Sequence, residues 1–213
     1  LVQSGRNDFV AANTLVDAMN PTNDPRLGSF FRMYEGAYVG GDYGNANGAG
    51  SNSNISDLMK SPDLKGDLIT AAEVHFLLSE AAARGYSVGG TEEAYYNSAI
   101  EVSMDEWGVS SSDTAAYLAL TEVAYATAAG DWKQKIGSQK WIEMFNNGYE
   151  GWTAWGSLDL GLNGPVVDGI TLDIPTRFLY PTSEATLNGS QYDSAASAIG
   201  GDTKTTKIFW DVN

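Results

Sequence analysis

The sequence predicts a mainly α-helical protein, with helical hairpins in its middle, a loop-rich C-terminal third and little β structure. Three observations lead there. Apolar residues recur at helical spacing behind two strong N-terminal caps, a stretch near residue 40 is too rich in Gly, Asn and Ser to pack, and Gly and Pro break any period from Asp159 onward. The boundaries read as 1–66 for a helix and a Gly/Asn-rich loop, 67–158 for the helical core and 159–213 for the irregular region, all within one domain.

In order, Asp8 to Met19 reads as a short helix, with Val10, Leu15, Val16 and Met19 as its apolar stripe and Asn20-Pro21 as its stop. Pro21 to Pro25 is a turn cluster. Gly36 to Ser56 is a long surface loop carrying Tyr38 and Tyr43, and its glycines make it mobile in the absence of a ligand. Thr70 and Glu73 form a capping box ahead of Val74, Leu77, Leu78 and Ala81, which end at Gly85. Thr91 caps the next helix, and Glu92 and Glu93 suit its positive end. Tyr96, Ala99, Ile100, Met104 and Trp107 form its apolar face.

Helices over 70–85 and 91–107, joined by a short turn, make a hairpin close to the roughly 34 residues of a tetratricopeptide repeat. The resemblance to that repeat is loose. Tyr96-x-x-Ala99 fits its second helix, but the Trp-x-x-Leu-Gly start is absent. Shorter helices are expected over 112–127 and 131–147, and short strands near Ile170–Leu172 and Arg177–Tyr180. Leu77, Leu78, Ala81, Ile100, Met104 and Trp141 are the expected core.

A net charge of −15 on 213 residues repels nucleic acid and anionic membranes but leaves a neutral ligand unaffected. The absence of cysteine excludes disulfides, thiolate metal sites and cysteine nucleophiles. The chain starts at Leu1 without Met, signal peptide or membrane-spanning apolar run, and reads as a fragment of a longer protein.

Catalytic patterns are weak. Gly85-Tyr86-Ser87-Val88-Gly89 has the letters of a nucleophile elbow, but it follows a helix, and the single histidine, His75, lies upstream of it. The 27 acidic residues could hide a glycosidase pair, yet their bland reading is a solvated surface. No metal or cofactor motif is present. Aromatics at 141, 145, 152 and 155 read chiefly as core packing. Tyr38 and Tyr43 differ, because they stand in a loop beside amides. A stacking face with a hydroxyl, next to groups that both donate and accept, suits sugar hydroxyls. The candidate ligand contacts are therefore Tyr38, Tyr43, Asn45 and Asn47, with Trp107 as a neighbour.

Several segments together resemble the SusD/RagB family of glycan-binding outer-membrane lipoproteins of Bacteroidetes. Ile69–Gly85 is similar to the family's "aEv.fl.AEA..rG" helix, Trp132–Ile142 to its "I..QKWial" helix, and Gly148–Trp155 to its "g.eaW.eWr" step. Asp8-Phe9-Val10 through Asn23-Asp24-Pro25-Arg26 resembles a segment ending in "lnDPR", and Arg177–Asn188 with Gly200–Asp211 resembles the family's C-terminal signature. Two departures stand out. The chain resembles only the C-terminal half of a family member and lacks the lipidated cysteine, and Gly156 replaces the arginine that follows the family's second Trp. The resemblance implies a non-catalytic protein at the outer-membrane surface, without cofactor. It would bind an oligosaccharide and pass it to a SusC-like TonB-dependent transporter. A generic tetratricopeptide-type scaffold and a glycoside hydrolase are the alternative readings.

Overall fold

A computed structural model describes residues 8–211, in two compact units that meet in the chain at Leu160 and Gly161. The first unit holds α1 (Asn13–Met19), α2 (Leu27–Phe30), α3 (Ala71–Ala83), α4 (Glu92–Glu106), α5 (Ser111–Leu118), α6 (Trp132–Glu143) and α7 (Gly148–Leu158). The second holds a hairpin of β1 (Val166–Val167) and β2 (Ile170–Thr171), then α8 (Thr182–Leu187) and α9 (Gly189–Ala198). The fold is thus mainly helical, as expected.

The helix expected over 8–19 starts only at Asn13. Before it, Val10 pairs with Asn54 and Ala12 with Gly41, so this segment is extended and held by the loop. The loop is correspondingly more ordered than its composition suggests: Ala11 N donates to Ser53 O, Gly41 N to Ala11 O and Ser53 N to Val39 O, each at 2.8 Å. Gly40 makes this closeness possible, since a Cβ there would lie 2.3 Å from the Asn13 Cα.

The central hairpin forms as its caps predict. Thr70 Oγ1 accepts from Glu73 N at 3.0 Å and Thr91 Oγ1 from Ala94 N at 3.1 Å. Both helices end in a Schellman turn. Tyr86 N donates to Ala81 O and Gly85 N to Ala82 O, with Gly85 at φ +87°; Val109 N donates to Met104 O and Gly108 N to Asp105 O, with Gly108 at φ +74°. The face of α4 is the expected one, with Tyr96, Ala99, Ile100 and Met104 buried. That of α3 is not. Ala72, Phe76 and Ser79 face inward, whereas Leu77 is 42% exposed and Leu78 and Ala81 are only half-buried. The cause lies in the partner helix: Ser79 Oγ donates to Glu92 O at 2.7 Å and Phe76 enters the core with Tyr96 and Ile100, which fixes the rotation of α3.

The helix expected over 112–127 stops at Leu118 and continues as turns; Val123 and Tyr125 pack into the core from there. α6 ends at Glu143 rather than 147, and Asn147 caps α7, a further helix beyond those the sequence predicts. Trp141 is half-buried against a second cluster of Leu15, Val16, Met19, Phe30 and Phe31.

Arg26 links these pieces from the interior. It is fully buried, as is Asp24. Asp24 Oδ1 accepts from Arg26 Nε at 3.0 Å, and Asp24 Oδ2 accepts from Arg26 Nη2 at 2.6 Å and from the Tyr117 hydroxyl at 2.9 Å. Arg26 also donates to Ser103 Oγ at 3.0 Å and to Gln139 Oε1 at 2.9 Å. Ser103 in turn donates to Glu143 Oε2 at 2.5 Å, and Thr70 to Glu143 Oε1 at 3.2 Å. Burial alone would weaken the guanidinium's hold on its proton, but the charge and hydrogen bond of Asp24 outweigh it. Burial and the Asp24 charge push the Tyr117 phenol up to about 12.

In the second unit, Asp168 (φ +51°) and Gly169 (φ +78°) form the two-residue turn of the hairpin. The strand expected at Arg177–Tyr180 is irregular backbone. Arg177 Nη1 donates to Asp202 Oδ1 at 2.5 Å, Tyr180 N donates to the same oxygen, and the Tyr192 hydroxyl donates to Asp202 Oδ2 at 3.2 Å. The Arg177 bond holds the Asp202 carboxyl below its ordinary range despite the upward pull of burial. α8 and α9 occupy a stretch read as irregular, because their Ser, Ala and Gly residues carry little apolar period.

Removing Arg26 strands the Asp24 carboxylate indoors. Arg26→Ala should cost about 3–5 kcal/mol in urea unfolding, and Arg26→Lys, which lacks the fork, should also destabilise. A wild-type midpoint for Arg26→Lys would show that charge alone suffices. Gly40→Ala should cost about 1–3 kcal/mol, because backbone atoms must separate; retention of the wild-type midpoint would refute the clash.

Burial raises the Glu143 carboxyl above the ordinary glutamate range, and the hydrogen bond from Ser103, the charge of Arg26 and the bond from Thr70 offset this only in part. Such a group binds its proton more tightly folded than unfolded. Its stabilisation is complete below the unfolded pKa and is lost as pH rises through the folded one. The unfolding midpoint should therefore rise as pH falls from above the raised folded pKa toward the ordinary glutamate range, and Glu143→Gln should flatten that rise. An unchanged slope in the variant would show that Glu143 does not titrate in this window.

Candidate ligand-binding site

An open cleft in the first unit lies beside Tyr38. A tight turn presents it: Tyr34 N donates to Ala37 O at 2.8 Å and Ala37 N to Tyr34 O at 3.0 Å, with Glu35 (φ +47°) and Gly36 (φ +86°) between them. Asn20 Nδ2 donates to Tyr38 O at 3.1 Å. The result is an open cleft of about 600 Å³, walled by Asn20, Asn23, Leu27, Met33 and Tyr38 among others. Burial raises the Tyr38 phenol above its ordinary value. Gly28 keeps space for it, since a Cβ there would stand 3.2 Å from the hydroxyl. Met33 is 59% exposed on the same wall. Asp24, a charged residue on the cleft wall, spends its carboxylate on Arg26 and Tyr117. The cleft therefore offers amides, a phenol and apolar surface to a neutral guest.

The other expected contacts are spread out. Tyr43 is 43% exposed, and its backbone N donates to Asn13 Oδ1 at 3.1 Å. Asn45 is exposed in the same turn. Asn47 is bound up in the loop itself: its Oδ1 accepts from Asp42 N at 2.8 Å and its Nδ2 donates to the carbonyls of Asp42 and Asn45, each at 2.9 Å. Tyr43, Asn45 and Asn47 do not line the Tyr38 cleft. Trp107 stands edge-on to Phe30, with centroids 4.7 Å apart, and lines a different cavity. The cleft residues that sequence reasoning missed are Asn20, Asn23 and Met33. The Asn23-Asp24-Pro25-Arg26 segment was their available signal.

The cavity at Trp107 gathers Glu73, Glu106 and Glu143 with Thr70 and Asn147. All three carboxyls are raised, chiefly by burial. At about 20 Å³ it admits something near one water molecule and no sugar ring. Among the described residues no group of three His, Cys, Asp or Glu is arranged to hold a metal ion. Ser87 is exposed in the α3–α4 turn, with neither the strand before it nor the histidine after it that a nucleophile elbow needs. His75 packs against Tyr95, centroids 6.2 Å apart, and its buried Nδ1 has no hydrogen-bond partner among the described residues.

Comparison with known proteins agrees with this architecture. The SusD-like family model, described as starch-binding and associating with the outer membrane, matches residues 1–181. No curated protein matches. A SusD homologue from Bacteroides vulgatus superposes with a TM-score of 0.81 at 22% identity, over 99% of this chain and 51% of that one. One from Bacteroides thetaiotaomicron gives 0.79 at 25% identity, over 95% and 52%. A chitin-binding SusD homologue from Flavobacterium johnsoniae gives 0.75 at 26% identity, over 100% and 51%. The chain thus spans about half the length of the solved structures it matches.

Proposed function

This chain belongs to the SusD-like family, and we propose that it takes part, without catalysis, in binding an oligosaccharide at the cell surface and passing it to a TonB-dependent transporter of the outer membrane. The observation that carries the binding reading is the Tyr38 cleft. Apart from Asp24, whose charge is paired with Arg26, its groups are neutral, and both faces of its chemistry suit a sugar: a phenol ring to stack on C–H surface and amides to match paired hydroxyls. Tyr43 and Asn45, exposed but outside the cleft, are the further contacts proposed for a longer ligand. A neutral ligand meets no penalty from the charge of −15. The family's description and the chitin-binding homologue favour a glycan over other neutral guests. The absence of turnover is supported by the clustered glutamates, which serve the interior and leave no room for a sugar between them. No helix among the described residues is long and apolar enough to cross a membrane.

Calorimetry with chitin and starch oligosaccharides tests the site. Tyr38→Ala/Tyr43→Ala should weaken binding about tenfold or more, near 1.4 kcal/mol, in a variant that stays folded with a somewhat lower unfolding midpoint, since Tyr38 also packs against the second core cluster. Equal affinity in a folded double variant would move the site elsewhere. The same sugars incubated with the wild type should remain uncleaved; hydrolysis lost in a single carboxylate variant would overturn the non-catalytic reading. Capture from native outer membranes should retain a TonB-dependent transporter, and a soluble partner in its place would favour a generic scaffold.

A further inference from the structure

The Tyr38 cleft is chemically two-sided. Pro25, Leu27, Met33 and Ala37 give it apolar surface, while Asn20, Asn23 and Tyr38 give it polar groups. Met33 is the apolar side chain most open to a guest, at 59% exposed. That exposure does not come from a loose backbone. The chain is fastened on either side of Met33, because Arg32 N donates to Asn54 O and Tyr34 N to Ala37 O, each at 2.8 Å. A thioether on an unbranched stem, carried by a fixed backbone, adapts well to a small apolar group. On the polar side, Asn20 uses one amide N–H on Tyr38 O. Asn20 and Asn23 are both exposed, so the rest of these two amides is open to a guest.

A sugar that carries only hydroxyls cannot use both sides of such a cleft. Its one apolar region is the C–H face of the ring, which suits the Tyr38 ring. Its edges are hydroxyls, and a hydroxyl laid on Met33 loses water without gaining a partner. An acetamido group matches instead. Its methyl suits the apolar wall, and its N–H and C=O complement an asparagine amide, which likewise donates and accepts. A 6-deoxy sugar would bring a methyl but leave the amides to hydroxyls. Charged sugars fit worse. No Lys or Arg is among the described residues that line the cleft, and the chain carries −15, so a uronate or sulfate would meet repulsion without a counter-charge. We propose, resting on the Tyr38 cleft as the binding site, that its ligand is a glycan bearing 2-acetamido groups, with Met33 as the specificity-determining residue that receives the acetyl methyl.

Two β-1,4-linked tetramers that differ only at C2 test this, one of N-acetylglucosamine and one of glucose. In calorimetry with the 213-residue chain, the acetylated tetramer should bind about tenfold more tightly. Met33→Gln, similar in length but polar, should close most of that gap and leave the affinity for the glucose tetramer unchanged. Met33→Leu, still apolar, should keep the preference. In saturation-transfer NMR the acetyl methyl should receive more saturation than the ring protons, and Met33→Gln should remove the difference. Equal affinity for the two tetramers, no binding of the acetylated one, or a preference that Met33→Gln leaves as it was overturns the proposal. So does tighter binding of fucose than of N-acetylglucosamine as single sugars, which would give the apolar wall to a methyl without an amide. The reading beneath it fails in a different way. Tyr38→Ala should weaken both tetramers alike; if it weakens neither, the cleft is not the site, whatever the preference between them.

Discussion

A buried guanidinium is costly to hold indoors, and the first unit is arranged around meeting that cost at Arg26. Asp24 supplies the opposing charge, while Ser103 from α4 and Gln139 from α6 take further donors. Tyr117 from α5 closes the ring by donating to Asp24 and accepting from Gln139. Four separate stretches of chain must be in register for these bonds to form together. A network of this kind adds less to net stability than its bond count suggests, because desolvation offsets much of it. Its larger effect is on uniqueness, since any slippage of one helix leaves a charge unpaired.

The same segment reaches the candidate site. Asp24 has its carboxylate in the network, while Asn20 and Asn23, just before it, stand on the wall of the Tyr38 cleft. Pro25 follows, and Asn23 sits in the left-handed region at φ +47°, so the chain turns sharply between cleft and interior. The cleft is thereby built on backbone that the core already holds in place. Rigid walls lower the ordering cost of binding, which matters for sugars, where each contact is weak and water competes for each hydroxyl.

Glu143 shows how the helices divide their labour. It closes the network through Ser103, ties to the N-cap residue Thr70 of α3, and lines the small cavity with Trp107. Its raised carboxyl would be a catalytic hint in an open cleft. Here the geometry assigns it to structure, because both oxygens are already bonded and the adjoining space is about 20 Å³.

Caps and periods were legible in the sequence where the physics is local. Thr70 and Thr91 start their helices, Gly85 ends one of them, and the alternation of Tyr96, Ala99, Ile100 and Met104 marks the buried side of α4. The family resemblance was legible in the same way, as short ordered motifs. Which side of α3 turns inward was not, because both sides carry apolar residues and only contact with α4 selects between them. Nor was the fate of the Gly/Asn loop, whose order comes from pairing with residues some 40 positions away in sequence, Val10 with Asn54 among them. Tyr38 was legible as a candidate from its residue type. Its wall of Asn20, Asn23 and Met33, and the placing of Trp107 in a different cavity, depended on long-range packing that composition does not encode. Sequence alone determined the helical class, the acidic charge and the capped hairpin. Tertiary structure decided the buried face of α3, the Arg26 network and the shape of the cleft, since each arises from groups far apart in the chain competing for one interior.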